Sequence, residues 1–264
     1  MNSKIIIYGN FFVDHIYHLN ESIKNDQNNN VKFMDKAYGG VINFYKPLKE
    51  EAHDFTISFT LGNDETGKFF KRKTKKNFQI KFKKGRTSQA NIFIDKRDST
   101  RTSFAEKGIS NTHNVINFHK SDWFHVSYLD LLSNLNLEKL KHIQGKANIM
   151  SCDLGLNCST SQEINLIKKK LKFFNYLIIS NHELRCYFPS DSTLESIKAS
   201  KKYVPEIIVH SAEKIWINED CIINNKIYKN INPLGAGDFF CAKFIVNMLN
   251  SNNNKFLSAS YANK

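Results

Sequence analysis

Proline is scarce, with four residues, and the 11 glycines follow no period, which excludes collagen-like and low-complexity chains. No apolar run approaches the ~20 residues of a membrane helix; the longest are short stretches such as Tyr176–Ile179. The opening, MNSKIIIYGN, breaks its apolar run at once. It reads as a first core strand, and no signal peptide is expected. The five cysteines, at 152, 158, 186, 221 and 241, never stand in C-x-x-C spacing. An odd, scattered set argues for reduced thiols in a cytoplasmic protein and against a disulfide framework or a zinc site. The nine histidines make no H-E-x-x-H pair, because Cys186 stands where His182-Glu183 would need its second His.

Apolar residues are plentiful. The chain of 264 residues is 41% hydrophobic, with 21 Phe and 10 Tyr, enough for one large folded domain and too apolar for a disordered chain. Charge is uneven: the net value is +13, and Lys68–Arg86 holds ten basic residues and no acidic one. This stretch reads first as a solvated face. The functional alternatives are a polyanion surface or a field that draws in an anionic substrate. Phe69, Phe70, Phe78 and Phe82 resemble the buried side of amphipathic elements more than a base-stacking array.

The hydrophobic pattern alternates between strand and helix from residue 120 onward. Strands are expected at Trp123–Tyr128, Ala147–Cys152, Tyr176–Ile179 and Glu206–Val209, with helices at 134–143, 161–171, 181–188 and 193–201 between them. A hairpin is expected over Ile215–Ile217 and Cys221–Tyr228, then a helix over Gly237–Leu249. Earlier, Ile5–Tyr8 and Phe55–Leu61 read as strands, 41–52 as a helix interrupted by Pro47, and 64–77 as a basic helix. Such alternation implies an α/β fold: a mostly parallel central sheet with helices on both faces. The segments 11–38 and 86–105 do not fit it, and a hairpin is expected around Lys96–Ser99. They are expected to form a small β lid on a single domain spanning 1–264.

Two glycine-bearing segments compete for a phosphate site. Gly62-Asn-Asp-Glu-Thr-Gly67-Lys68-Phe69 matches G-x-x-x-x-G-K-[ST] except at its last position. Phe69 cannot ligate Mg²⁺, and Asp64 and Glu65 would repel phosphate. The second segment, Gly235-Ala236-Gly237-Asp238, precedes the last long apolar helix. Small residues allow close backbone approach, and free N–H groups at a helix start bind anions. Asp238 at the rim of such a hole suits a base that accepts a hydroxyl proton during phosphoryl transfer. A plain helix-capping aspartate is the structural alternative.

Gly-Ala-Gly-Asp before an apolar helix resembles the signature of the ribokinase (PfkB) family of sugar and nucleoside kinases. Further segments resemble the family in chain order. IIIYGNFFVDHI, with Gly9 and Asp14, is similar to its first strand and sugar-binding aspartate. Gly39-Gly40-Val-Ile-Asn43 is similar to its sugar-binding Gly-Gly…Asn segment, and Leu61–Gly67 to its G-D-D-x-x-G segment. Ile179-Ser-Asn181-His-Glu183 is similar to its N-x-x-E region.

The resemblance implies a three-layer ribokinase-like fold and a kinase using ATP and Mg²⁺. It implies catalytic roles for Asp238 and for the backbone of Gly235, Ala236 and Gly237. Asp14, Gly39, Gly40, Asn43 and the lid's Arg101 would meet the sugar. Asn181, Glu183, Ser211, Ala212 and Asn263 would meet the nucleotide, and Glu183 would hold Mg²⁺ indirectly, through water. A homodimer through the lid would fit the family.

The chain departs from the family pattern in places. Asn232-Pro233 replaces the usual Asp-Thr before the signature, and Asn lacks the charge a monovalent-cation site would need. The T-x-G-x-x-G nucleotide segment reads His210-Ser-Ala212-Glu-Lys-Ile215, where Ile215 is expected to crowd a close ligand. Aligning Glu183 with the N-x-x-E motif puts Ser180 at the Asn position. The first reading is thus an ATP-dependent kinase acting on an alcohol of a sugar or sugar derivative. The alternatives are an impaired relative that binds sugar or nucleotide, and nucleic-acid binding through the basic segment, the least favoured.

Overall fold

Strands rich in Ile, Val and Phe, buried on both faces, form the frame. A computed structural model describes residues 4–21, 23–24, 26–52, 54–73, 75–95, 100–112, 118, 120–156, 160–223, 234–251 and 253–263. The expected pair Asn232-Pro233, the turn Lys96–Ser99, Cys158 and the end of the Cys221–Tyr228 hairpin lie outside these residues.

The main sheet has nine strands. In chain order they are β1 (Lys4–Gly9), β4 (Asp54–Gly62), β5 (Phe78–Lys83), β8 (Ser121–Ser127), β9 (Ala147–Cys152), β10 (Tyr176–Ser180), β11 (Glu206–His210), β12 (Lys214–Ile217) and β13 (Asp220–Ile223). In space the order is β13-β12-β11-β10-β9-β8-β1-β4-β5. All neighbours pair in parallel except β11–β12 and β12–β13, which are antiparallel. Alternate residues serve opposite layers. Ile5, Ile7, Ile57 and Phe59 join the side holding α1 (Tyr45–Glu51), α7 (Ala236–Asn250) and α8 (Lys255–Ala262). Ile6, Tyr8, Phe124 and Val126 join the opposite side. There Leu140 and Ile143 of α3 (Leu137–Gln144), Ile167 and Leu171 of α4 (Ser161–Leu171), Leu184 of α5 (Asn181–Tyr187) and Ile197 of α6 (Thr193–Ser200) close the core. The three-layer α/β architecture is the one the strand–helix rhythm implies.

A second sheet of four strands stands apart from the first. It is built from β2 (Phe11–Leu19), β3 (Val31–Gly40), β6 (Gln89–Asp95) and β7 (Thr100–Glu106), in the order β3-β2-β6-β7. Segments 11–38 and 86–105 thus pair with each other, β2 lying parallel to β6 and antiparallel to β3. An aromatic cluster roots this sheet in the main core: Phe11 stacks on Phe59 at 5.2 Å and meets the edge of Phe70 at 5.1 Å.

Two details differ from the sequence reading. The basic helix α2 covers only Glu65–Arg72, and β5 follows as an edge strand. Phe78, Ile80 and Phe82 alternate with Gln79, Lys81 and Lys83, a strand pattern that directly follows the basic helix. Pro47 does not break the preceding helix. It lies in the first turn of α1, where its missing N–H has no helical partner to lose. Among the described residues, no helix is long and apolar enough to cross a membrane.

Candidate active site

The carboxyl ends of the parallel strands gather most of the polar groups singled out from the sequence, as expected for an open α/β sheet. Gly235 caps α7 in a left-handed conformation, φ +77°. Phe239 N–H is the first to bond back, to Gly235 O at 2.9 Å. The N–H groups of Ala236, Gly237 and Asp238 therefore have no intrahelical acceptor, which leaves a concave donor set at the positive end of a 15-residue helix.

Asp238 is 6% exposed. Burial drives its carboxyl well above the usual range, helped by the charges of Asp153, Glu183 and Asp14, while a bond from Asn43 opposes the rise. Asn43 Nδ2–H donates to Asp238 Oδ2 at 2.7 Å. Asn43 belongs to the short 3₁₀ turn Val41–Phe44 that follows β3. A Cβ on Gly235 would stand 3.1 Å from Asn43 Nδ2, so the two segments pack backbone to side chain.

Asp14 lies on β2, opposite Ala37 of β3 and Ala90 of β6. Small neighbours leave its carboxylate room, and burial raises it to about 6 against the pull of Arg101. Gly39 is required beside it, since a Cβ there would come within 2.0 Å of Asp14 Oδ2. Gly40, at φ +67°, turns the chain toward Asn43 with its α-carbon against Asn10 O. Arg101 is an exposed residue of β7 whose charge reaches both Asp14 and Tyr128. On the same face Ile16, Ala90, Ile92 and Ile94 pack with Phe12 and with Leu234, next to Gly235. The second sheet thus contacts the residue just before Gly235.

Glu183 shows the geometry of a capping box: its Oε2 accepts from Ser180 N–H at 3.0 Å and Ser180 Oγ–H at 2.7 Å. Burial raises its carboxyl to about 7, reinforced by Asp153 and Asp130 and resisted by the Ser180 donors. Asn181 Oδ1 accepts from Thr193 Oγ1–H at 2.7 Å, tying α5 to α6. Ser211 forms a tight turn with Lys214 between β11 and β12, and Ala212 is exposed beside it. Ile215 points into the core and is fully buried, so it does not crowd a ligand at this turn; β12 starts at Lys214 and sends alternate residues inward. Asn263 is the exposed C-cap of α8, which packs against α7 and β12.

Sequence reading missed three residues that the strands bring here and met a fourth, His210, only as part of the nucleotide segment. Asp153 follows β9, and its charge acts on Asp238, Glu183, Tyr128 and His210. His125 Nε2 lies 3.1 Å from Asp153 Oδ2. Tyr128 follows β8 with φ +56°. His210 ends β11 beside Gly237, and burial lowers it to about 4, so the ring stays neutral. The signal available for them was position alone, at the carboxyl ends of parallel strands.

The P-loop-like segment is a structural joint. Asp64 caps α2 through Gly67 N–H at 3.0 Å and also accepts from Thr87 N–H at 2.6 Å and Thr87 Oγ1–H at 2.9 Å. The N–H donors a phosphate would need here are taken by the Asp64 carboxylate. In the basic stretch, Lys75 Nζ sits 3.9 Å over the Tyr45 ring and Lys73 lies over Phe69. Phe70 is buried and Phe69 and Phe78 are half-buried, whereas Phe82 is 39% exposed on the edge strand.

The family model "pfkB family carbohydrate kinase" matches residues 2–262. No curated protein matches the sequence. Solved structures do match the fold. Ribokinase from Giardia lamblia aligns with a TM-score of 0.77 at 14% identity, covering 100% of this chain and 90% of that one. Ribokinase from Cryptococcus neoformans var. grubii, in complex with ADP, gives 0.76 at 15% identity, covering 99% and 91%. The nucleoside kinase of Burkholderia thailandensis, in complex with inosine, gives 0.74 at 16%, covering 98% and 89%.

Proposed function

Because the chain belongs to the pfkB family of carbohydrate kinases and is a sugar kinase by that membership, we propose that it transfers the terminal phosphoryl group of ATP to a hydroxyl of a sugar or sugar derivative. The observation that carries this reading is the buried Asp238 carboxyl, held by Asn43 beside three N–H groups without helical acceptors at the start of α7.

Asp238 takes the proton of the acceptor hydroxyl. Burial raises its affinity for protons and so makes it a stronger base than a solvated carboxylate. The N–H groups of Ala236, Gly237 and Asp238 hold the oxygens of the migrating phosphoryl group as charge builds on them. Gly235 gives that backbone its turn. Asp14 holds acceptor hydroxyls, with Gly39 and Gly40 admitting the ring close to the backbone and Asn43 at its edge. Arg101 reaches in from the lid. Ile16, Ala90 and Ile92 exclude water so that phosphoryl transfer wins over hydrolysis.

Ser211 and Ala212, with Asn263 and Asn181, border the place for the nucleotide. The hard oxygen donors around Glu183, where Asp153 and Asp130 crowd it with like charge, fit a divalent cation. Glu183 would hold Mg²⁺ there indirectly, and the ion would supply charge neutralisation for phosphoryl transfer. The protein works in the cytoplasm on this reading. On the lid's outer face, Tyr17 stacks on Phe93 at 4.8 Å and Phe93 meets Phe104, which is 60% exposed. A second copy covers this stripe, and Phe104→Glu would convert a dimer to a monomer in sedimentation analysis.

The test is ADP release from Mg-ATP across pentoses, hexoses, sugar phosphates, fructosamines and nucleosides, run beside Asp238→Asn. The expected result is acceptor-dependent turnover that falls about 10²–10⁴-fold in the variant. No turnover with any acceptor, together with no ATP binding by calorimetry, would sink the reading in favour of a ligand-binding relative.

A further inference from the structure

Two side chains bracket the backbone donors at the start of α7. A Cβ on Gly235 would stand 3.1 Å from Asn43 Nδ2, whereas a Cβ on Gly237 would stand 3.3 Å from His210 Cε1 and 3.6 Å from its Nε2. Asn43 belongs to the turn after β3, on the side of Asp14, Gly39 and Gly40. His210 ends β11, and β10, β9 and β8 lie between that strand and β1, from which the chain runs on into β2 and Asp14. Ser211 and Ala212 follow it directly, in the turn to β12. The imidazole therefore stands on the flank of the donor set opposite the acceptor groups, which on the kinase reading is the nucleotide side.

The strand and the helix hold the ring in that place. Ile208 of β11 packs in the layer of α7, and the period of two puts His210 on the same face. Its ring centroid lies 4.9 Å from that of Phe240, which is one turn along α7 from Gly237. Burial keeps the imidazole neutral against the charge of Asp153, so it offers one N–H and one lone pair. Among the described residues, none bonds to either ring nitrogen of this half-buried side chain. Glycine at 237 keeps the Cε1–Nε2 edge clear of a side chain. The surrounding charge makes such a donor useful: Asp153, Glu183 and Asp14 act on Asp238, and the cation Arg101 acts on Asp14 and Tyr128. A neutral imidazole adds a donor for phosphate on the other flank and no further carboxylate.

We propose that His210 is a nucleotide-binding residue whose imidazole N–H donates to an oxygen of the ATP phosphates, beside Gly237 and opposite Asn43. This inference rests on the kinase reading and adds a residue to it. The T-x-G-x-x-G segment has Thr at this place and this chain has His, so an imidazole contact departs from the pattern.

The experiment uses His210→Phe, which keeps a flat ring on Phe240 and removes the donor, and His210→Gln, which keeps a donor. Calorimetry measures the affinity for ADP and for tripolyphosphate, the phosphate chain without the nucleoside. His210→Phe weakens both at least about tenfold, as expected for a lost bond to a charged group. Its ATP KM rises by a similar factor while the acceptor KM stays within about twofold. His210→Gln recovers most of the ADP affinity. In the wild-type chain, ¹H–¹⁵N NMR of the imidazoles shows the His210 resonances, assigned by their absence from His210→Gln, moving with either ligand. That reading stands even if His210→Phe does not fold. Wild-type ADP affinity in His210→Phe, or His210 resonances that ignore both ligands, would overturn the proposal and leave the kinase reading intact. A wild-type chain that binds ADP but phosphorylates no acceptor would fail the kinase reading, while the binding comparison would still decide His210. No ADP binding by wild type would overturn both.

Discussion

Asn43 and Asp238 lie 195 residues apart in sequence and meet through one hydrogen bond of 2.7 Å. It joins the turn after β3 of the second sheet to the first turn of α7, and so couples the two halves of the proposed site. A donor aimed at a carboxylate favours its ionised form, and here it is the opposing influence on a group that burial and three negative neighbours push upward.

Asn43→Leu is therefore expected to raise the Asp238 midpoint further. The acid limb of the kcat/KM profile moves to higher pH, activity at pH 7 drops about 10–10²-fold, and part of it returns in more basic buffer. A pH–rate profile decides this. An unshifted limb with uniformly reduced activity would mean that Asn43 only shapes the pocket.

Gly39 supplies a test on the acceptor side. A Cβ there would lie 2.0 Å from Asp14 Oδ2, so Gly39→Ala must displace that carboxylate. The acceptor KM should rise more than about tenfold with the ATP KM unchanged. At Gly40, φ is +67° and an added Cβ would come within 2.3 Å of Asn10 O, so any side chain there is strained. Gly40→Ala should accordingly lose both activity and about 1–3 kcal/mol of stability, measured by urea unfolding.

What the sequence made legible follows from how local each feature is. Gly235–Asp238 could be read because a tight turn and a helix start lie within four residues. Gly39-Gly40 end β3, where a glycine pair marks a turn, and Asp14 is the acid inside the neighbouring strand β2. Asp153 and His125 could not be read, since their meeting depends on the pairing of β8 with β9, where His125 faces Ser151 in register, and nothing within either strand specifies that partner. The strand β5 was passed over for another reason: FQIKFK alternates, but six residues at a sheet edge directly after a basic run carry little apolar weight. Ile215 looked like an obstacle to a ligand only because a linear motif does not show which way a strand residue points.

Glu183 is expected to lower stability in its ionised form. Its carboxyl is raised from 4.5 to about 7 in the folded state, so between those values the folded chain binds more protons than the unfolded one. Stability then falls as pH rises through that window. Glu183→Gln can keep the capping-box acceptor without the charge. Its melting temperature should match wild type near pH 4.5 and exceed it at pH 8, by about 1–3 kcal/mol of stability, while kinase activity declines. A variant no more stable than wild type at pH 8 would show that the charge is already neutralised in the folded chain.

Asp64 is opposite in sign. Burial raises its carboxyl, but donors from Gly67 and Thr87 outweigh this and hold it below 3.8, so its contribution is present above that value and lost as pH falls through the lowered midpoint. Asp64 joins α2 to the segment that leads into β6 of the second sheet, because Thr87 both donates to Asp64 and accepts from Gly62 N–H at 3.0 Å. Asp64→Ala should cost about 1–3 kcal/mol at pH 7. Thr87→Val should cost less, and the double variant should fall short of the sum because both remove the same bonds. Neither should change the ATP KM by more than about twofold. A tenfold rise in ATP KM at undiminished stability would instead return the Gly62–Lys68 segment to the role its sequence imitates, that of a loop around phosphate.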